Sequence, residues 1–154
     1  MGELDPIADA IEAEWYGAGK PKPLRAYETG SPGRIRIVLD APAQLLTMNA
    51  AKSTHYRKWA ALTLAWREAT EARALLLGIP EATSRVGIEA RPYQAGGTLA
   101  DPGAHMPCVK ACIDGLRDAG VLKDDTGQYI AWVMLHAPIK GPGAGLVLEL
   151  VDVP

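Results

Sequence analysis

The chain has 154 residues, of which 48% are hydrophobic and 22% are charged, as in an ordinary globular domain with a sizeable core. Its 16 basic and 18 acidic residues give a formal net charge of −2, which disfavours a strongly basic nucleic-acid-binding domain but permits a local basic face. No apolar run is long enough to cross a membrane, and the acidic segment MGELDPIADA is unlike a signal peptide. We therefore expect a cytoplasmic protein with no membrane partner.

The first part of the chain predicts an appendage. Asp5-Pro6 opens a short predicted helix, and the segment GAGKPKP that follows it is typical of an extended linker. A β-rich pattern begins only at residue 34. We therefore divide the chain into an N-terminal helical arm with its linker, residues 1–33, and one folded domain, residues 34–154.

The domain predicts alternating strands and helices. Alternating residues in RIRIVL indicate a first strand, and a stripe that includes Trp59, Leu62 and Trp66 indicates a long helix with Ser53 or Thr54 as its cap. The predicted elements are a strand over 34–39, a helix over 55–77, a strand over 85–93, a helix ending at Gly120, and strands over 128–136 and 145–153. This order, β-α-β-α-β-β, predicts an α/β domain with a single mixed sheet and two main helices. We expect the last two strands to form a hairpin across PIKGPGAG.

The start of the second helix has two interpretations. Asp101-Pro102 fits an N-cap followed by proline at the first helical position. Pro107 fits a first turn as well, which would begin the helix near Met106 and leave Asp101 in a loop. Only this second case allows Asp101 to approach Asp124-Asp125, because a helix from 101 would separate them by roughly 25 Å.

Three aspartates and a lysine in this region have a possible chemical role. Oxygen ligands such as Asp101, Asp124 and Asp125 suit Mg²⁺ or Mn²⁺, which can clamp a phosphodiester during its hydrolysis. Lys110 would orient a water molecule or stabilise charge on the phosphate. An Asp-Pro cap and an Asp-Asp-Thr-Gly turn explain the same residues without any function, and both interpretations stay open.

The cysteines offer a weaker metal motif. Cys108 and Cys112 form H-x2-C-x3-C with His105, which could supply three zinc ligands, but a fourth ligand is missing. Small buried cysteines on a helix face are the commoner arrangement. Their side chains would run parallel along the helix, so we expect no disulfide.

Positive charge accumulates near the first long helix. The basic residues are Lys52, Arg57, Lys58, Arg67 and Arg73. Taken alone, this run indicates a solvated helix face.

The stretch LADPGAHMPCVKACIDGLRDAGVLKDDTGQYI resembles the signature of RusA-type Holliday-junction resolvases, especially their phage-borne branch. That signature has an Asp-rich segment, a lysine on a helix, A-x-x-D-x-L-x-x-A-G and a closing Asp-Asp. The residues in register are Lys110, Ala111, Asp114, Leu116, Ala119, Gly120, Asp124 and Asp125. The order of strands and a loop containing Asn49 are also similar, so the resemblance extends over about residues 34–153.

This resemblance implies a homodimeric, Mg²⁺-dependent endonuclease that cleaves four-way or other branched DNA, with Mn²⁺ as a possible substitute. It implies Asp101, Lys110 and Asp125 as catalytic residues and Asp101, Asp124 and Asp125 as metal ligands. The side chains expected to contact DNA phosphates are Asn49, Lys52, Arg57, Lys58 and Lys140.

The sequence departs from the family pattern at one place. The family usually carries a second acidic or Asp-Asn element between the first aspartate and the lysine, whereas this chain has Gly103-Ala104-His105. Ala104 cannot bind a metal, and a histidine is a poor ligand for Mg²⁺. A module that binds branched DNA or a protein without cleavage is therefore the alternative, and a purely structural α/β domain is a third.

Overall fold

The computed structural model describes residues 34–153, which form one mixed α/β domain with a single sheet. Its elements are β1 (Arg34–Asp40), α1 (Met48–Ser53), α2 (Tyr56–Leu76), β2 (Arg85–Gln94), α3 (Met106–Asp118), β3 (Ile130–Leu135), β4 (Ile139–Lys140) and β5 (Gly145–Val153). The predicted α/β class and the order of main strands and helices are confirmed. The predicted N-terminal arm lies outside the described residues.

The last strand along the chain, β5, lies in the interior of the sheet. The strand order is β1-β5-β2-β3, with β5 antiparallel to both β1 and β2, and β3 parallel to β2. The predicted hairpin between β3 and β5 is therefore wrong. The short strand β4 continues along the same edge of β2 as β3, and the connection after it crosses the end of β2 to reach the opposite edge.

The core lies between one face of the sheet and the helices α2 and α3. Val109, Ile113 and Leu116 form the buried stripe of α3, and Trp66 on α2 is fully buried. The two helices approach closely at Gly115, where an added Cβ would lie 2.8 Å from the Cβ of Thr70 and also too close to a backbone oxygen of α2. Glycine is therefore required at this contact.

The opposite face of the sheet carries a buried ion pair. Arg36 donates to Oε1 of Glu149 through Nε at 2.9 Å and Nη2 at 2.5 Å, and both side chains are almost completely buried. Arg34 donates to Oε2 of Glu149 at 2.7 Å. The alternating basic residues of β1 thus share one face, as their period of two predicts, and they bind a carboxylate of the neighbouring strand.

The ends of the helices differ in part from the predicted caps. His55 caps α2, since its Nδ1 accepts a hydrogen bond from the backbone N–H of Arg57 at 3.3 Å. The predicted cap at Ser53 or Thr54 is wrong because those residues end α1, a short helix that the sequence did not predict. Helix α3 begins at Met106, which confirms the interpretation that leaves Asp101 in a turn.

None of the helices within residues 34–153 is both long and apolar enough to span a membrane.

Candidate functional site

The candidate site is centred on Lys110, at the edge of α3. The buried stripe of α3 faces the sheet, and Lys110 lies beside that stripe with 49% of its side chain exposed. Its ammonium group donates hydrogen bonds to two carboxylates, those of Asp125 and Asp114, the second at 3.0 Å. Asp114 is one helical turn further along α3, the spacing at which side chains on a helix meet.

Asp125 reaches Lys110 because the chain reverses after α3. Gly120 has a φ of 77°, the left-handed conformation that ends many helices and that favours glycine. Val121 and Leu122 then return to the core, which directs the following loop along the side of the helix. The aspartate pair therefore comes to the lysine through local structure, although Lys110 and Asp125 are 15 positions apart.

Arg117 adds a second cation to this cluster. Its Nη1 lies 3.6 Å from Oδ1 of Asp124 and 3.6 Å from Oδ1 of Asp125. Asp124 also accepts a hydrogen bond of 2.9 Å from the backbone N–H of Asp125, which fixes the orientation of the pair. The cluster thus contains two cations and three carboxylates, counting Asp114, and carries one net negative charge when all five are ionised.

The contacts favour the charged forms of the central pair. The hydrogen bond from Lys110 lowers the pKa of Asp125 below its usual value. Partial burial lowers the pKa of Lys110, but hydrogen bonds to Asp125 and Asp114 outweigh burial and raise it overall. Around neutral pH the lysine is therefore an ammonium and Asp125 a carboxylate.

An open cavity of about 350 Å³ lies beside this pair. Lys110 and Asp125 are its charged lining residues, and Ile113, Ile130 and Val133 contribute apolar lining. The pair is thus accessible to a small group, such as a phosphate or a hydrated ion, from one side of β3.

Asp101 is not part of this cluster. It is exposed in the turn that precedes α3, where its backbone carbonyl accepts a hydrogen bond of 3.0 Å from Ala104. Within the described part of the chain, its carboxylate forms no hydrogen bond or ion pair with Lys110, Asp124 or Asp125. The structure therefore joins Lys110 with the Asp124-Asp125 pair, and among residues 34–153 Asp101 does not form a three-carboxylate metal group with that pair.

The carboxylates fit a metal ion only in a limited way. No group of three or more His, Cys, Asp or Glu side chains positioned to hold a metal occurs among residues 34–153. Mg²⁺ is, however, often held by one or two carboxylates together with waters and substrate phosphates. Asp124 and Asp125 fit an ion shared with a bound phosphate and do not fit one enclosed by the protein alone.

The His105 and cysteine motif packs into the core. Nδ1 of His105 lies 3.3 Å from the backbone oxygen of Leu46, while Cys108 and Cys112 are fully buried free thiols. Burial raises the pKa of Cys108 and lowers that of His105. The burial of both thiols confirms the buried-cysteine interpretation, and no disulfide is formed. Among residues 34–153, these three side chains do not form a group that could hold a metal.

The predicted DNA-contacting residues lie at the surface. They are Asn49, Lys52, Arg57, Lys58 and Lys140, and all five are exposed. The Nζ of Lys140 donates a hydrogen bond to the backbone oxygen of Gly97. The first four lie on α1 and the start of α2, and this region contacts the Asp101 turn because Met48 N–H donates to Ala104 O at 2.8 Å. The basic run is not uniform, since Arg67 is ion-paired with Asp118.

Two members of the cluster, Asp114 and Arg117, were not predicted as site residues. The spacing of Lys110 and Asp114, four positions apart on a helix, was a signal that could have identified the first. Arg117 lies one turn after Asp114, and its contact with the aspartate pair depends on how the loop folds back.

No family model matches the chain, and no curated protein matches its sequence. The resemblance to RusA-type resolvases therefore stays a prediction from the sequence.

Proposed function

We propose that this protein is a Mg²⁺-dependent endonuclease that hydrolyses phosphodiester bonds in four-way or other branched DNA. The observation that carries the proposal is the convergence of Lys110 and Asp125 beside an open cavity, in a segment that resembles the RusA-type signature. A charged lysine next to carboxylates is the residue combination that metal-assisted phosphodiester hydrolysis uses.

Each charged residue has a distinct proposed role. Lys110 stays protonated and stabilises negative charge on the phosphate or orients the attacking water. Asp125 stays ionised, and with Asp124 it offers oxygen ligands. Mg²⁺, when bound, would polarise the phosphate and lower the pKa of a water molecule. Asp101, which the resemblance implies as a further ligand, would act on the same ion only where its carboxylate reaches it.

The charge of the cluster supports a requirement for metal. Because the cluster carries one net negative charge, it repels the negatively charged phosphodiester. Two like unit charges 4 Å apart near a protein surface repel each other by about 4 kcal/mol. A divalent cation would reverse the sign of the site and attract the DNA backbone. Asn49, Lys52, Arg57, Lys58 and Lys140 would contact phosphates away from the reaction and so position the DNA.

Symmetric cleavage of a four-way junction also requires two sites. A homodimer with a two-fold axis would present one cluster to each of two opposed strands. This dimer is part of the proposal, and sedimentation of the full chain with and without junction DNA would measure it.

The proposal is tested with a synthetic four-way junction, incubated with Mg²⁺ or Mn²⁺ and compared with a linear duplex of the same sequence. We expect paired nicks on the junction alone and a loss of about 100-fold or more in rate for Asp125→Asn. Asp118→Asn is the matched control, because Asp118 is also an ion-paired aspartate but lies at the end of α3, outside the cluster. Cleavage by Asp125→Asn at the wild-type rate would show that the site is wrong.

A second function is favoured by Gly103-Ala104 and by the lack of a three-ligand group among the described residues. In this case the protein binds branched DNA without cutting it. Tight binding of the junction with no nicks in either metal would support this function over the endonuclease.

A further inference from the structure

The start of α2 carries an unusual surface for a protein of net negative charge. No Asp or Glu occurs from residue 41 to residue 67, a stretch that contains four basic residues. Three of these, Lys52, Arg57 and Lys58, are exposed around the junction of α1 and α2. Like charges on one surface repel one another, so this composition favours an anionic partner over a contribution to stability.

An exposed aromatic residue lies among these cations. Tyr56 is 68% exposed and contributes little to the core, although it is a large side chain. Its neighbours hold it in place: the rings of His55 and Tyr56 are 4.6 Å apart between centroids, tilted by 32°. Arg57 donates from Nε to the tyrosine hydroxyl at 3.2 Å, with its guanidinium carbon 5.7 Å from the ring centroid.

This arrangement is preorganised for stacking. Tyr56 contacts the side chains of both His55 and Arg57, so its ring loses less conformational freedom when a ligand binds. A flat aromatic ligand with an attached anion would use both the ring and the cations. Unpaired nucleotides have this chemistry, since their bases stack on aromatic side chains and their phosphates bind Arg and Lys.

We propose that Tyr56, supported by His55 and Arg57, is a stacking platform for an unpaired nucleobase of DNA, while Lys52 and Lys58 contact the flanking phosphates. This inference rests on the proposed function, because the α1–α2 region is hydrogen-bonded to the turn that carries Asp101. It adds a substrate class to that function. Bases inside a duplex are covered on both faces, so the preferred substrate must present an unstacked base, as a flap, a gapped junction or a single-stranded end does.

The experiment uses the full-length chain in EDTA, so that binding is measured without cleavage. The probe is a four-way junction with one unpaired 2-aminopurine at the branch point, and the fully paired junction is the reference. Stacking on Tyr56 quenches the fluorescence of 2-aminopurine. We expect the wild-type protein to quench the probe and to bind it more tightly than the paired junction.

Two substitutions separate stacking from charge. Tyr56→Ala should weaken binding of the unpaired probe about ten-fold and remove the quenching, whereas Tyr56→Phe should retain both. Leu76→Ala is the control at the other end of the same helix, where Leu76 is also strongly exposed, and it should behave as wild type. Circular dichroism verifies that each variant is folded.

The outcomes distinguish this inference from the function on which it rests. Equal binding and quenching by wild type and Tyr56→Ala would overturn the stacking platform while leaving a DNA-binding protein. Equal competition by polyglutamate and by single-stranded DNA, without quenching, would mean that the surface recognises charge alone and would also overturn it. Failure of the wild-type protein to bind any junction or single strand would overturn both proposals.

Discussion

The contact between α2 and α3 gives a stability prediction whose magnitude follows from the structure. In Gly115→Ala, the added methyl group lies 2.8 Å from the Cβ of the fully buried Thr70 and meets the backbone oxygen of Arg67. Alanine is favoured over glycine within a helix by about 1 kcal/mol. Overpacking a rigid core costs about 1–3 kcal/mol, and a backbone oxygen cannot turn away as a side chain can. Taking the upper end of that cost, we expect a net destabilisation of about 2 kcal/mol.

Thermal and urea unfolding, followed by circular dichroism, measure this effect. For a chain of this size, 2 kcal/mol corresponds to a decrease of about 6 °C in Tm. The control is Gly103→Ala, which adds the same methyl group where nothing lies within 4 Å, and its Tm should be unchanged or slightly raised. If Gly115→Ala were as stable as wild type, the helices would have room for a side chain and the proposed requirement for glycine would be wrong.

Two further predictions concern the turn before α3. Burial lowers the pKa of His105 in the folded state, so the unfolded chain binds a proton at this residue more readily. The free energy of unfolding should therefore decrease as the pH falls below 6.5, the ordinary pKa of histidine. Urea titrations between pH 7.5 and 5 should show this loss with a slope of at most about 1.4 kcal/mol per pH unit, and His105→Gln should reduce the slope; an unchanged slope would assign it to other groups. Gly103→Asp places a carboxylate in open space two residues from Asp101, and it should lower the Mg²⁺ concentration needed for half-maximal junction cleavage by about ten-fold. A titration of cleavage rate against Mg²⁺ measures it, with Gly103→Asn as the uncharged control, and identical curves for the three proteins would show that this turn does not contribute to the proposed metal site.

Local patterns predicted the elements better than their arrangement. The helix stop at Gly120 follows from a single residue type in a left-handed conformation, and this also brings the Asp124-Asp125 pair back toward Lys110. The position of β5 depends on its pairing with strands more than 50 residues away in the sequence. Turn residues indicate where a strand ends but not which distant strand it pairs with. One signal was present in the sequence, however: residues 145–150, GLVLEL, are apolar except for Glu149, which is typical of a strand covered on both faces, and all six are buried in the structure.

The candidate site shows the same division between local and distant causes. Lys110 meets Asp114 through the spacing of the helix and meets the aspartate pair through one short loop. Both causes are local and can be predicted from neighbouring residues in the sequence. The location of Asp101 instead depends on a turn held by a hydrogen bond from Met48, more than 50 positions earlier. Because this hydrogen bond could not be predicted from the sequence, the sequence alone did not determine whether Asp101 lies beside Asp124 and Asp125.

The central position of β5 also affects how the chain is made. Ribosomes release the N-terminal elements first, and β1 pairs only with β5 among the described strands. Until residues 145–153 emerge, β1 lacks its partner and β2 has one unpaired edge, both of which are available to other chains. The newly synthesised protein therefore exposes unpaired strand edges until β5 emerges, and a nascent chain stalled before that point would be a natural client for chaperones.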